Sequence, residues 1–437
     1  MKKVIPFLCA ATIVGAPFSA YAQEVTELKQ SAEVNETVTD SDQTDGELIE
    51  EETPGIEELK ELTLEDVITR GTENSRNLTV LQFNLEATKN QILDTEHSQN
   101  DVSKDIRDLQ KKMDALKKER ERLSDTSQII MNGQERIAIN NSLEALENQI
   151  QSLETAVKQL ETGQVQLQLQ EEEAKEGVRL MLTSSYTNLL VQKEQIAFAK
   201  KSIQSASQDV QKAQRLFDYG LGTKEDIRQV QIIQTNLEKQ LEELEKNYNR
   251  SVATLSFDIG VAYNPGMVIQ PIKYEVANNQ KPEDYRSLID NTYKVKRAQN
   301  SLESAIIARD DAYKKYKENK VGAKVSQYQV EQRDYEVKAA EETIALTKEN
   351  IETAVEQMYH NEELTFFTYE EALRKLENVK KDLKVLETRY KLGVVTKYDY
   401  EKALTQLDQA ELNVYSASIP NYLIQQSIQA LEKGYVQ

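Results

Sequence analysis

The sequence predicts an all-α protein built from long antiparallel helical hairpins, with an internal duplication. Three observations point there. Proline occupies only seven of 437 positions, leaving proline-free runs at 55–264 and 283–419. An interior proline costs a helix about 3 kcal/mol, so both runs are free to form long helices. Glycine occurs only 14 times, too few for the many turns of a sandwich, a barrel or a doubly wound sheet. And a short motif near residue 220 returns near residue 393.

From the N-terminus, Met1–Lys3 is a short basic start, Val4–Val14 an apolar run and Ala20-Tyr21-Ala22 a small-x-small cleavage site. Residues 1–22 therefore read as a secretory signal peptide, with an apolar stretch shorter than the roughly 20 residues of a membrane span. Cys9 is the only cysteine and lies inside this segment, so the exported chain is expected to carry no disulfide. Residues 23–61 hold 14 acidic residues and 2 lysines. Such a segment buries too little surface to offset chain entropy and reads as a disordered acidic linker. The whole chain carries a net charge of −20, which argues against a nucleic-acid partner.

The remainder reads as two similar halves, 62–260 and 283–437, joined by a proline-containing linker at 261–282. The first half contains Tyr219-Gly220-Leu221-Gly222-Thr223-Lys224-Glu225-Asp226. The second contains Leu392-Gly393-Val394-Val395-Thr396-Lys397-Tyr398-Asp399. The offset is constant, since Gly220 matches Gly393, Thr223 matches Thr396 and Asp226 matches Asp399. Leu64-Glu65-Asp66 is echoed by Pro282-Glu283-Asp284. A fixed repeat spacing implies repeated architecture. Each Gly-x-x-Thr-x-x-Asp also has a mechanical reading. Gly220 and Gly393 take the left-handed conformation that ends a helix. Thr223 and Thr396 cap the next helix, and Asp226 and Asp399 complete a capping box and complement its dipole. Each motif is thus the tip of a helical hairpin. The helices leading in, 135–219 and 324–392, are expected to be about 100 Å long or more at 1.5 Å per residue. Those leading out, 224–258 and 397–433, are about half that.

The first half is also longer. The stretch from Leu64 to Gly220 exceeds that from Pro282 to Gly393 by enough to hold an extra helical hairpin. The excess coincides with a heptad pattern: Ile106, Leu109, Met113, Leu116 and Leu123, then Leu143, Leu146, Ile150, Leu153, Val157 and Leu160. Steps of three and four define a coiled-coil seam. The expectation is an antiparallel coiled-coil hairpin inserted at about 100–167, reversing within 124–136 at Asn132-Gly133. The alternative is a plain continuation of the same helices. In the linker, Met267–Val276 is β-prone and offers one short strand.

The duplicated layout, the opening Leu62-Thr63-Leu64-Glu65-Asp66-Val67, the two tips and the helices after them resemble the TolC-like outer-membrane efflux protein family. Arg389-Tyr390-Lys391-Leu392-Gly393 with Thr396 and Asp399 is similar to its second tip, and Leu216–Asp226 to its first. The resemblance covers about Leu62 to Gly434 and is specific at the tips. It implies a homotrimer forming a helical tunnel and acting as the exit duct of a tripartite efflux or type I secretion system. It implies docking by a periplasmic adaptor of the membrane-fusion type at Gly220, Leu221, Thr223, Gly393, Val394 and Thr396, with a transporter in the inner membrane beyond. Asp226 and Asp399 would then lie near the constricted end of the pore. The family crosses the outer membrane through four strands per chain, each of about ten alternating residues. No four such segments are found in this sequence. The expectation is therefore a relative exported to the cell envelope without the barrel. An alternative from another class is a non-conducting extracytoplasmic scaffold that uses the coiled coil as a docking rod.

Chemistry is not expected. His97 and His360 stand alone among polar residues, Glu171-Glu172-Glu173 and Glu341-Glu342 read as solvated helix faces, and no nucleophile triad, phosphate loop or metal spacing is present. No cofactor, metal or catalytic residue is assigned. Tyrosine is skewed, with 4 up to Ala262 and 16 beyond, which suits half-hydrated interfaces.

Overall fold

The chain is described by a computed structural model covering residues 58–278, 281–282, 285–318 and 325–436. The expected leader, Cys9, most of the acidic linker, Glu283-Asp284 and Val321-Gly322-Ala323 lie outside the described residues. The order is β1 (Glu61–Leu62), α1 (Leu64–Glu73), α2 (Arg76–Arg120), α3 (Thr126–Asp218), α4 (Lys224–Asp258), β2 (Val268–Ile269), α5 (Tyr285–Asp290), α6 (Tyr293–Glu318), α7 (Gln327–Lys391) and α8 (Lys397–Glu432). With 93 residues, α3 spans about 140 Å; α7, with 65, about 100 Å. The helices after the tips have 35 and 36 residues, as the sequence predicts. Pro420 stands inside α8 without ending it.

The reversal between α2 and α3 lies earlier than the sequence suggests. The chain turns at 121–125, and Asn132-Gly133 is interior to α3. Two interactions explain the shift. The Asp125 carboxylate accepts the backbone N–H groups of Ser127 and Gln128 at 2.7 and 3.3 Å, capping the helix well before the expected turn. Asn132 is buried and donates from Nδ2 to the Leu116 carbonyl at 3.0 Å, so its amide serves as a cross-hairpin tie. Every heptad position named above is buried or half-buried along this hairpin. The helices are continuous through residues 100 and 167, so the coiled coil flows into the body without a joint.

The core is duplicated like the tips. In the first half Leu62, Val67, Leu182, Tyr186, Leu189, Val252, Leu255 and Ile269 form a buried cluster; in the second, Ile289, Val295, Ile351, Val355, Leu431 and Val436 do. At the offset that relates the tips, Leu182 and Tyr186 recur as Val355 and Tyr359. Tyr186 is fully buried and donates its hydroxyl to the Leu62 and Gln270 carbonyls at 2.9 and 2.6 Å. Burial pushes that phenol up to about 12. These two carbonyls flank a two-residue parallel ladder, Glu61 with Val268 and Leu62 with Ile269. The expected linker strand is thus present, shortened to two residues and paired with the start of the first half. Among the described residues these are the only strands.

The central helix α3 carries most of the packing. Its N-terminal part pairs with α2, through Lys112–Glu135 at 3.0 Å and Gln82–Glu171 at 3.3 Å. Its middle meets α6, where buried Asn300 donates to the Thr162 carbonyl at 2.6 Å and Arg297 pairs with Glu173 at 2.8 Å. Its C-terminal part runs antiparallel to α8. Glu176 pairs with Lys433 at 2.8 Å, Lys201 with Asp408 at 2.5 Å, and Gln208 donates to Glu401 at 2.9 Å. These three pairs keep one register from Glu176 to Gln208. That register sets residue 397, the start of α8, opposite residue 212 of α3. The two tips therefore share one end and lie within about two helical turns of each other.

Candidate functional site: two helical tips at one end

Both tips are built by the same local physics. A helix leaves its last carbonyls without partners, and a left-handed residue just past the end lets the following N–H groups turn back to them. At the first tip Gly220 has φ of +72°. Its N–H reaches the Phe217 carbonyl at 2.8 Å, and the Leu221 N–H reaches that of Leu216 at 2.8 Å. At the second, Gly393 has φ of +71°, with Gly393 N–H to Tyr390 and Val394 N–H to Arg389, both at 2.9 Å. A Cβ on either glycine would meet nothing within 4 Å, so only the backbone angle demands glycine there.

The outgoing helices start on the predicted threonines. The Thr223 hydroxyl accepts the Asp226 N–H at 3.2 Å, and the Asp226 carboxylate accepts the Thr223 N–H at 2.8 Å and its hydroxyl at 2.7 Å. These bonds, the hydroxyl first and the backbone second, hold the Asp226 carboxyl below the usual aspartate range. Thr396 accepts the Asp399 N–H at 3.2 Å and donates to its carboxylate at 2.7 Å, without the return bond to its own N–H. Both aspartates are exposed and engaged in capping. Between reversal and cap, each tip presents bare apolar side chains: Tyr219 and Leu221 at the first, 79% and 76% exposed, and Leu392 and Val394 at the second, 74% and 70% exposed.

Just inboard, α3 is fastened to α8. The Tyr398 hydroxyl and Lys402 both bind Asp209, Lys402 at 3.3 Å, while the Lys212 ammonium lies 3.8 Å above the Tyr398 ring. Burial, then the bond to Asp209, raises the Tyr398 phenol. Tyr390 stacks on Tyr400 across α7 and α8, with centroids 5.1 Å apart and planes 2° from parallel. Three of the sixteen downstream tyrosines thus clasp helices near this end.

Two further reversals escaped sequence reading. Gly260 ends α4 with φ of +70°, and Gly434 ends α8 with φ of +99°. Each is followed by the same returning N–H, Val261 to Ser256 and Tyr435 to Ala430. Gly260 and Gly434 are separated by a single position more than Gly220 and Gly393, and that spacing was the available signal. Gly434 also needs its lack of side chain, since a Cβ would sit 2.8 Å from the Asn291 carbonyl oxygen.

Among the described residues no group of three His, Cys, Asp or Glu is placed to hold a metal, and no helix is long and apolar enough to cross a membrane.

No protein-family model matches the sequence, and no curated protein matches it. Solved structures do. The outer membrane protein VceC from Vibrio cholerae is 11% identical, with a TM-score of 0.51 over 65% of this chain and 76% of that one. A membrane protein from Pseudomonas aeruginosa is 10% identical, with a TM-score of 0.57 over 85% and 90%. CusC, described as forming a transmembrane channel, is 9% identical, with a TM-score of 0.57 over 85% and 92%. At such identities the likeness is one of fold. The chain has a TolC-like helical fold. Of these neighbours, one is described as an outer membrane protein and one as forming a transmembrane channel.

Proposed function

We propose that this chain is the exit-duct subunit of a tripartite efflux or type I secretion system, working as a homotrimer in the extracytoplasmic envelope. Cargo passes through without chemical change. A membrane-fusion-type adaptor grips Gly220-Leu221 with Thr223 and Gly393-Val394 with Thr396, and a transporter in the inner or cytoplasmic membrane feeds the duct. Asp226 and Asp399 ring its narrow end. The observation that carries this reading is the matched pair of reversals held together at one end, each with bare apolar side chains that the fold itself leaves unburied.

The duplication supports the assembly. Within the chain α3 lies against α8. The repeat maps α3 onto α7 and α8 onto α4, so α7 of one copy is free to lie against α4 of the next. Both carry exposed apolar residues for such a contact, Ile233 on α4 and Leu373 on α7, 55% and 38% exposed. The α3–α8 register, carried over, sets them within one turn of each other. Three copies joined this way close a ring. The test uses Ile233→Cys with Leu373→Cys in one chain, where Cys9 is the only other thiol. Mild oxidation is expected to give a covalent trimer, and the single variants are not. A ladder of monomers alone would remove the ring.

The α2–α3 hairpin favours a second reading. By the α3–α6 pairing, residue 318 at the end of α6 lies level with about residue 148 of α3. The hairpin runs on for about 35 Å beyond at 1.5 Å per residue. A rod of that kind suits a non-conducting scaffold of the envelope. An axial lumen in end-on images of the assembly supports the duct; a solid bundle supports the scaffold. In either case the helical hairpin stands in the slot that the family resemblance gives to strands, so the proposed location is within the envelope without a barrel across an outer membrane.

A further inference from the structure

The free end of the α2–α3 hairpin differs in chemistry from the rest of the chain. The protein carries a net charge of −20. Yet residues 111–122 hold six basic side chains, Lys111, Lys112, Lys117, Lys118, Arg120 and Arg122, against three acidic ones. Lys117 is engaged with Asp114 at 3.2 Å, Lys111 with Asp108 at 2.8 Å and Lys112 with Glu135 at 3.0 Å. Lys118, Arg120 and Arg122 are exposed and make no ion pair among the described residues. They cluster at the last turn of α2 and the reversal that follows. The acid at the far end of the turn, Asp125, is occupied in capping α3.

Beside these charges stand two bare apolar side chains, Ile130 and Met131, 56% and 68% exposed. The ties Asn132 to Leu116 and Lys112 to Glu135 fix the hairpin register, and that register puts Ile130 and Met131 level with Lys117 and Lys118. Met131 lies five residues past the start of α3, about 8 Å from the end of the rod. The interfacial layer of a bilayer takes up apolar side chains to a depth of about 5–10 Å, and an anionic surface attracts each basic residue near it. The seam of the hairpin is already filled by Leu116, Asn132 and Ile139, so these residues serve nothing inside it. A second copy set against this end would bring the same positive excess with it, and like charge opposes that pairing.

We propose that the end of the α2–α3 hairpin is a membrane-docking tip that seats on an anionic phospholipid surface, with Ile130 and Met131 entering the interface and Lys118, Arg120 and Arg122 meeting lipid phosphates. The contact is peripheral and reversible. It lies at the opposite end from Gly220 and Gly393 and stands whether or not those turns bind an adaptor.

The test exploits the absence of tryptophan from the chain. Met131→Trp in the full-length protein places a single indole at the rod's end, and Leu221→Trp places one at the other. Vesicles of phosphatidylcholine mixed with phosphatidylglycerol are expected to blue-shift the emission at 131 and leave that at 221 unchanged. Pure phosphatidylcholine should shift neither, and added salt should reverse the effect. Arg120→Gln with Arg122→Gln, placed in the Met131→Trp background, is expected to weaken vesicle binding by about tenfold or more, given the contribution of each basic residue at an anionic surface. Both substitutions are on exposed side chains and should leave helicity unchanged. An unshifted indole at 131, an equal shift at 221, or a charge-deleted variant that binds as before would each overturn the proposal. So would a blue shift in buffer alone that grows with protein concentration, because a second copy would then cover this face.

Discussion

The two halves of the chain agree at one end and diverge at the other. Near the tips they match in backbone angle, returning bonds and capping threonine, with Gly220 at φ of +72° and Gly393 at +71°. Away from the tips, the first half runs on into a coiled-coil hairpin, while in the second α6 ends at Glu318 and α7 begins at Gln327. The cores diverge as well. Leu189 of the first half is fully buried, and the residue at the matching position of the second, equally buried, is Glu362. A reversal depends on angles that one residue type meets cheaply, so both copies keep it. Packing partners can be exchanged, and the copies have exchanged them.

The largest expected effect contrasts the two core tyrosines. Tyr186→Ala removes a fully buried ring and takes the hydroxyl from the Gln270 carbonyl, while the Leu62 carbonyl keeps the Gln270 N–H, and should cost about 3–5 kcal/mol. Tyr359→Ala, at a half-buried ring, should cost less than half of that. Urea unfolding of both variants checks the ratio; equal losses would mean that the cores are more alike than their burial indicates.

Next comes the likeness of the tips. Gly220→Val and Gly393→Val each force a β-branched residue to positive φ, at about 1–3 kcal/mol. Neither new side chain meets a neighbour, so the two losses should agree. Thermal melting that separated them widely would show that one tip is held by contacts the other lacks.

The smallest effect concerns the caps. Thr223→Ala breaks a complete box and Thr396→Ala an incomplete one, so the first should cost more within the roughly 0.5–2 kcal/mol that caps contribute. Proton titration sharpens this. A carboxyl whose folded pKa is depressed stabilises above its unfolded value and loses that contribution as pH falls through the folded one. Asp226 should therefore titrate below 3.8, the ordinary aspartate value, and its share of stability should be lost as pH falls through that depressed value. Carboxyl chemical shifts followed against pH read this directly. In Thr223→Ala, Asp226 should return toward the ordinary range.

The tips were legible in the sequence because their causes are local. One glycine, one threonine and one aspartate in a single short motif suffice, and the second copy confirms the first. The half-length helices followed from those boundaries. The α2–α3 turn was misplaced because Asn132-Gly133 resembles a turn as a dipeptide. The Asp125 cap and the reach of Asn132 to Leu116 become visible only once two helices lie side by side. Tyr186 and its carbonyl partners were illegible for the same reason, since they bring together residues 62, 186 and 270. The bare apolar side chains at 219, 221, 392 and 394 could be placed only after their turns were known to point outward.

The reach of α3 sets an order of assembly. Its neighbours come from α1 and α2, made before it, and from α4, α6 and α8, made after. Lys433, which pairs with Glu176, is synthesised 257 residues after it. A chain emerging N-terminus first must therefore hold one flank of its longest helix uncovered until α8 has followed it. Such delayed closure is slow and leaves apolar surface open to wrong partners. An α8 arriving from a sister chain would fit the same flank, so premature crowding at the point of emergence is this molecule's built-in hazard.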